Sequence, residues 1–596
     1  MTDIPELKNS SAEEGSSAIS SKQVGQAVAT HPWFQHYEQG VPSQIEIPEQ
    51  PLTWLLDRAN RLFAGNTAIT YFGASMTYAR LTKYARRFAV QLLRMGLKKG
   101  ERVALVLPNI PQYPIAYYGI LLAGGVVVPT NPLYTEREMQ HQLEDSGAKI
   151  VVTLDISYPT VRAVRKHVPI DHVIIAGVPD FMPPLLKLAY PLAQRKTKAK
   201  NPQPTLSAQE MKDDETIHLM TDVLNVRSKQ GGIEVFNLPE PAAQTDLAVL
   251  QYTGGTTGLS KGAMLTHRNL LANALQTRSW TPNLIEGQEV TLCVAPLFHS
   301  YGATVGMNLS ISAGANMVLL PRFKPQEVLK AIKKYHPTLF PGIPTMYLAL
   351  LREAGKDTTY FQSIKYCISG AAPLPAAVRE DFEAVTHGKL VEGYGLSEAS
   401  PVTHCNPLNG DFRKGSIGLP FPGIDAAIWD TATNKPLPPG ELGEIMVKGP
   451  NIMQGYWKRE QETEAMFSGE WMRTGDLGTM DADGYFYVTE RAKDMIIASG
   501  YNVYPREVEE VLFRHEAVQE AAVAGVSHEY RGETVAAFVV LKPGYQPTEE
   551  TREQILAFCK RELTAYKVPK ILEFRDELPK SLIGKVLRRE LRASLS

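Results

Sequence analysis

The chain predicts an α/β fold with parallel sheet, and three features carry the prediction. Short apolar, β-branched runs alternate with helical stretches, the rhythm of successive βαβ units. Hydrophobic residues make up 44% of the 596, enough for a full-sized core. Glycine (45) and proline (42) punctuate the chain at ordinary frequency, which excludes a fibrous or low-complexity protein. At roughly 100–200 residues per domain, this length implies several domains or a large one with an appendage.

Taken in order, residues 1–45 read as a polar tail, serine-rich between Ser10 and Ser21 and poor in core formers. Globular sequence begins near Pro51. Strands are expected at Arg102–Leu107, Val126–Pro129, Lys149–Leu154, His172–Ala176 and Leu247–Tyr252, and helices at Thr135–Gly147 and Pro325–Tyr335. The longest apolar run, Ile115–Val128, has 14 residues and holds Gly119, Gly124 and Gly125. A bilayer span needs about 20, so this run reads as a buried helix leading into a buried strand. In 178–204, Phe181, Leu185, Leu186, Leu188, Tyr190 and Leu192 lead to Arg195, Lys196, Lys198 and Lys200, and four prolines interrupt them. That stretch reads as a surface insertion folded back on its domain, or as a membrane-surface or partner-docking element, apolar plus basic being the interfacial pattern. After Asp494 the elements shorten: Pro505–Phe513, Val518–Val526, Ala536–Leu541, Arg552–Leu563 and Ile571–Phe574 predict a separate small α+β domain.

Lys and Arg number 62 against 63 Asp and Glu, a net charge of −1. This lacks the basic excess of a nucleic-acid binder and the bias of an acidic disordered chain. Cys293, Cys367, Cys405 and Cys559 are far apart, without a CxxC pair, so neither a zinc site nor a disulfide framework is expected, and the compartment is a reducing one. The N-terminus carries Asp3, Glu6, Glu13 and Glu14 and no apolar segment of a secretory signal, which points to the cytoplasm.

The strongest local signal is Tyr252-Thr-Gly-Gly-Thr-Thr-Gly-Leu-Ser-Lys-Gly262. It follows a strand and is expected to precede a helix starting near Thr266. A Gly/Thr loop in that position can aim backbone N–H groups and hydroxyls at phosphate oxygens, with Lys261 adding a point charge. The Walker pattern fails, because Lys261 follows Ser260 and precedes Gly262. A Gly/Thr-rich turn can also exist without a ligand; the density of hydroxyls and glycines beside a lysine argues against that here.

This run resembles the signature of the adenylate-forming superfamily, which includes acyl-CoA synthetases, adenylation domains of peptide synthetases and beetle luciferases. Four further runs are similar to its other motifs, in family order. Glu392-Gly-Tyr-Gly-Leu-Ser-Glu398 and Trp471-Met-Arg-Thr-Gly-Asp476 resemble the second and third nucleotide motifs. Glu490-Arg-Ala-Lys-Asp-Met-Ile496 resembles the hinge motif, and Pro579-Lys-Ser-Leu-Ile-Gly-Lys585 the C-terminal lysine motif. The resemblance covers roughly residues 50–594. It is closest to bacterial long-chain fatty-acid–CoA ligases, through Ser499–Pro505, Leu578–Leu591 and Gly262–Asn269. It implies an α/β body of parallel and mixed sheets flanked by helices, plus a distorted barrel, over 46–493, with an insertion near 178–240. A small, mobile α+β lid would follow over 494–596, hinged at Lys493.

The implied reaction has two halves. A carboxylate attacks the α-phosphate of ATP, giving an acyl-adenylate and pyrophosphate; the coenzyme A thiol then takes the acyl group and AMP leaves. The resemblance assigns Lys585 as the cation bridging carboxylate and phosphate, with Thr256 and His299 beside it among the catalytic groups. Glu398 and Thr253 are the expected Mg2+ ligands. Thr253, Gly254, Gly255, Thr256, Thr257, Gly258 and Lys261 would hold phosphate. Gly370 and Ala371 would line adenine and acyl group. Glu392, Gly393, Tyr394, Gly395 and Ser397 would form the adenine site, with the Tyr394 ring as stacking face and the glycines letting ligand approach the backbone. Asp476 would take the ribose hydroxyls, and Arg491 and Lys493 the ribose and hinge region. His299, Ser300, Tyr301 and Gly370 would begin the acyl pocket. Amino-acid-activating relatives carry Phe-Asp there, and the Asp pairs the substrate ammonium. Here Phe298 is followed by His299, which disfavours an ammonium substrate and favours an uncharged tail.

Some relatives carry a lysine four residues after the hinge, where this chain has Ile497. Alternatives within enzymes are an acyl-adenylate ligase that loads a carrier protein, a ligase for medium-chain or aryl acids, and luciferase-type oxidation. A non-catalytic binder would not need Lys585, Glu398, Asp476 and the whole loop together. Fatty acid, ATP and coenzyme A are the expected partners, and nucleic acid is not. Peripheral contact with the inner membrane face through 178–204 and a homodimer both stay open. Acyl chain length depends on pocket depth, which linear sequence does not set.

Overall fold

The computed structural model describes residues 31–190, 214–225, 238–253, 260–355, 357–491, 494–498, 501–528, 532–581 and 585–595. The first sheet has seven strands, in the order Ile217–Leu219, His172–Ala176, Ile150–Leu154, Arg102–Val106, Val126–Pro129, Leu247–Thr253, Lys261–Thr266. All neighbours are parallel except the last pair, which is antiparallel. Ile150–Leu154 and Val126–Pro129 are buried at every position, as parallel strands covered on both faces must be. The run Ile115–Val128 resolves as expected. Helix Gln112–Leu122 is buried throughout and feeds strand Val126–Pro129.

The helices have legible ends. Thr135 caps Glu136–Ser146 through a reciprocal capping box with Glu138, and Thr266 caps His267–Ser279 in the same way with Asn269. Pro325 opens Pro325–Tyr335, where its missing N–H costs nothing.

A second sheet orders Val290–Cys293, Asn316–Leu319, Thr67–Tyr71 and Ala74–Thr77. Single parallel bridges through Leu339 lead from it to a third sheet of Tyr366–Ser369, Lys389–Gly395, Val402–Cys405 and Leu419–Pro420. The fourth is antiparallel, Asp425–Trp429, Gly443–Lys448, Trp471–Met480 and Phe467–Ser468, with Phe486–Arg491 paired to Trp471–Met480. It stands where the expected barrel falls. The fifth belongs to the C-terminal part: Tyr501–Val503, Ile496–Ala498, Gly532–Leu541 and Val518–His528, with Ile571–Phe574 parallel to Gly532–Leu541. Helices Pro505–Phe513, Glu549–Glu562 and Arg588–Ala593 accompany it. Its apolar clusters draw only on residues from Ile496 onward.

Two expectations need correction. The polar tail was drawn to residue 45, yet from Pro32 the chain packs on the body. Trp33 is 3% exposed, and the His31 imidazole meets Asp425 Oδ1 at 2.8 Å. A short aromatic anchor outweighs the polar composition around it. The Gly/Thr loop was expected to run from strand to helix. It joins instead two antiparallel strands, and helix His267–Ser279 starts only after the second. Burial of Gly262, Ala263, Leu265 and Thr266, and the Tyr252 ring packing 3.2 Å from where a Cβ at Gly262 would stand, favour that strand.

Among the described residues, no helix is long and apolar enough to cross a membrane. The insertion is described to residue 190 and from 214 to 225, and Leu185 and Leu188 stand 82% and 77% exposed.

Candidate active site

Three strand ends converge on one region. Thr253 closes Leu247–Thr253, Ser369 closes Tyr366–Ser369 just before Gly370, and Glu392 to Gly395 close Lys389–Gly395. Ligands of open α/β sheets gather at such carboxyl ends. Gly254, Gly255, Thr256, Thr257, Gly258 and Lys493 lie outside the described residues, as do the side chains of Arg491 and Ile497.

Tyr394 and Asp476 come together although 82 residues separate them. The Tyr394 hydroxyl donates to Asp476 Oδ2 at 2.6 Å. Asp476 is 4% exposed, and its N–H donates to Thr474 Oγ1 at 3.1 Å. Its backbone pairs with Arg491 in the antiparallel ladder, so the third motif and the hinge motif meet by strand register. Tyr394 also packs edge-on against His404.

Gly395 is required by the fold itself: a side chain there would lie 1.9 Å from the Pro401 carbonyl oxygen, so the glycine admits the protein's own returning backbone. At Gly370 an added Cβ would sit 2.6 Å from the Tyr301 ring, so that glycine makes room for a side chain of the acyl stretch. Ala371, next to it, holds φ at 68°, a strained value of the kind that collects at functional sites.

The acyl stretch is fixed from below by Asn109, which is 2% exposed. Its Nδ2 donates to the carbonyls of Cys293 (3.1 Å) and Ala295 (2.9 Å), and its Oδ1 accepts from Leu297 N–H at 2.8 Å. His299 is half-buried, and its Nδ1 accepts the Tyr301 N–H at 3.3 Å. Ser300 and Ser397 hydroxyls meet at 3.2 Å, and Thr304 Oγ1 donates to the Ser400 carbonyl at 2.7 Å. Acyl stretch and second nucleotide motif thus form one wall. Burial and then the charge of Lys585 depress the His299 imidazole to about 4, so it is neutral at physiological pH. Lys585 itself is tied to Ser581: its N–H donates to Ser581 Oγ at 3.2 Å, and Ser581 N–H donates to the Lys585 carbonyl at 2.8 Å.

Glu398 sits on the short turn Ser397–Ala399. Its carbonyl accepts Met453 N–H at 2.8 Å and its Oε1 accepts the Tyr456 hydroxyl at 2.7 Å. The Tyr456 ring lies under the Lys261 ammonium, 5.1 Å from its centroid. Lys261 Nζ also stands 3.8 Å from Glu462 Oε1. Backbone bonds from Gln454 to Met264, Met264 to Gly455 and Trp457 to Gly262 stitch this segment to the hairpin carrying the phosphate loop. Glu392 turns away from this wall: its Oε2 accepts Leu374 N–H at 3.1 Å. Sequence reading missed Asn109 and Tyr456, since neither lies within the motifs that carry the resemblance.

The chain belongs to the AMP-binding enzyme family. Residues 56–457 match the family model described as AMP-binding enzyme, and 507–585 match that of the AMP-binding enzyme C-terminal domain. The chain is 46% identical over 560 residues to a long-chain-fatty-acid–CoA ligase of Bacillus subtilis (strain 168), covering 94% of this chain and 97% of the relative. Identity to a long-chain-fatty-acid–CoA ligase of Salmonella typhi is 40% over 566 residues, again 94% of this chain and 97% of the relative. Among solved structures, ATP-bound MatB from Rhodopseudomonas palustris matches with a TM-score of 0.78 and 31% identity, over 91% of this chain and 99% of that one. The anthranilate CoA ligase AuaEII in complex with anthranoyl-AMP matches with a TM-score of 0.79 and 27% identity, over 92% and 98%.

Proposed function

We propose that the chain ligates a long-chain fatty acid to coenzyme A through an acyl-adenylate, consuming ATP and releasing AMP and pyrophosphate. The observation that carries this reading is the bond from the Tyr394 hydroxyl to Asp476 Oδ2 at 2.6 Å, which joins two of the motifs at one site, with the charge of Lys585 bearing on His299 of the acyl stretch. The long-chain class comes from the relatives at 40–46% identity, which are long-chain-fatty-acid–CoA ligases, and from the lack of a carboxylate at Phe298-His299.

The first half-reaction brings a carboxylate to a polyanion. Lys585 offers an ammonium to both and stabilises charge as the bond to the α-phosphate forms. Neutral His299 adds no charge that would compete with it and leaves the acid room beside an uncharged wall. Tyr394 gives adenine a ring face, and the buried Asp476 carboxylate is suited to accept the two ribose hydroxyls.

Mg2+ fits Glu398 and Thr253. Both offer hard oxygen donors, and the turn bearing Glu398 packs on the strands that flank the loop. Among the described residues no group of three His, Cys, Asp or Glu could hold a metal, so most ligands would come from phosphate and water. When bound, the ion would offset the charge of the pyrophosphate leaving group. For the second half-reaction, the unit beginning at residue 494 rotates about Lys493, withdraws Lys585 and opens a path for the coenzyme A thiol to the acyl carbon.

Exposed Leu185 and Leu188, with Arg195, Lys196, Lys198 and Lys200 after them in sequence, support peripheral contact of a cytoplasmic enzyme with the inner membrane face.

Pyrophosphate release and thioester formation, measured over a series from acetate to stearate and benzoate, test the reading. Highest kcat/KM for the long acids with free coenzyme A is expected. A maximum at acetate or benzoate, or transfer only to a carrier protein, overturns it.

A further inference from the structure

Helix Pro505–Phe513 carries one side chain across to the body of the protein. Arg506 Nη1–H donates to the Val488 carbonyl at 3.2 Å, and Nε–H donates to Glu510 Oε1 at 3.2 Å, one turn along the same helix. Val488 lies on strand Phe486–Arg491, before residue 493, whereas Arg506 comes after it. The arginine is 15% exposed and Glu510 66%, so the guanidinium is seated in the contact while its helix partner stays in water.

The charge of Arg506 also bears on Glu392 of the second nucleotide motif. Glu392 is held by Leu374 N–H at 3.1 Å. Burial raises its carboxyl, and Arg506 is the strongest group opposing the rise. Glu392 lies two residues before Tyr394 on the same strand. In this same arrangement the charge of Lys585 bears on His299.

The geometry points to Arg506 as a positioning residue that holds the C-terminal unit in the pose facing Lys585 to the acyl wall, the pose of the first half-reaction. This rests on the ligase reading given above. A hydrogen bond to a fixed main-chain carbonyl is directional, so it forms only when the unit is seated. Rotation about Lys493 carries Arg506 away from Val488 and breaks it. The bond therefore stabilises one pose and not the other, and only such differential contacts shift a two-state equilibrium. Arg506 reaches no reacting atom in this account; it acts through the placement of Lys585.

The two half-reactions, measured separately on the full chain, test this. Arg506→Ala is expected to slow adenylate formation about tenfold, the scale of one charged hydrogen bond, with thioester formation from supplied acyl-adenylate unchanged within about twofold. Arg506→Lys keeps the charge and one donor and is expected to recover most of the loss. Arg506→Gln replaces the alanine variant where the latter fails to fold, as judged by its melting curve. Equal loss in both halves, or no loss in the first, overturns the assignment. A wild-type chain that releases no pyrophosphate with any acid overturns the ligase reading itself, an outcome distinct from any effect of the variants.

Discussion

Tyr394 donates its hydroxyl to Asp476 Oδ2 at 2.6 Å, joining the second and third nucleotide motifs across 82 residues of chain. The bond fixes relative to each other the ring proposed to stack on adenine and the carboxylate proposed to take the ribose hydroxyls. Neither group can shift without the other.

Tyr394→Phe is therefore expected to raise the KM for ATP roughly ten- to hundredfold, the scale of a hydrogen bond to a charged group. Asp476→Ala loses the ribose acceptor as well and is expected to raise it further. The KM for the fatty acid should stay within about threefold in both. Steady-state kinetics with each substrate varied in turn checks this; equal changes in both KM values would contradict it.

Tyr456 plays the corresponding part at the phosphate end. Its hydroxyl holds Glu398 Oε1 at 2.7 Å while its ring lies under Lys261. Tyr456→Phe keeps the ring and removes the bond. The Mg2+ concentration giving half-maximal binding of ATP, followed by calorimetry, is expected to rise several-fold, since groups that orient a metal ligand commonly matter by about 10–100-fold. An unchanged Mg2+ dependence would show that Glu398 is oriented without Tyr456.

Two fully buried histidines make the fold sensitive to acid. Burial depresses His267 to about 4 and His404 to about 3, against an ordinary value near 6.5. The unfolded chain therefore binds more protons than the native one below that ordinary value. Stability contributed by these neutral rings is complete above about pH 6.5 and is lost as pH falls toward 4 and 3. At pH 5 the loss is about 2 kcal/mol for each ring, at 1.36 kcal/mol per pH unit. Urea unfolding at pH 7 and pH 5 is expected to show a drop of several kcal/mol, reduced by about 2 kcal/mol in His404→Asn. A variant with the wild-type slope would contradict this.

Much of the fold was legible in the sequence because local pattern and burial agree. His172–Ala176, Val126–Pro129, Pro325–Tyr335, Pro505–Phe513 and Ile571–Phe574 stand at the residues the pattern indicates. The strand Lys261–Thr266 was not legible, because its pairing depends on a neighbour and the loop before it resembles a strand-to-helix turn. Trp33 shows the same limit: one anchored indole orders a stretch whose composition is that of a tail. At the candidate site, the motifs named Tyr394 and Asp476, which the fold brings into one hydrogen bond. Asn109, Tyr456 and Arg506 come from distant segments, and no linear spacing betrays a contact made by the fold. Gly395 was legible as a needed glycine, but the Pro401 backbone that requires it was not.

In the proposed mechanism one cation, Lys585, serves the first half-reaction and leaves for the second. Single-turnover analysis of Lys585→Ala measures this most directly. Adenylate formation is expected to fall by about 10²–10³ or more, the scale of a lost electrostatic group, while thioester formation from supplied acyl-adenylate stays within about threefold of wild type. Equal loss in both half-reactions would contradict it.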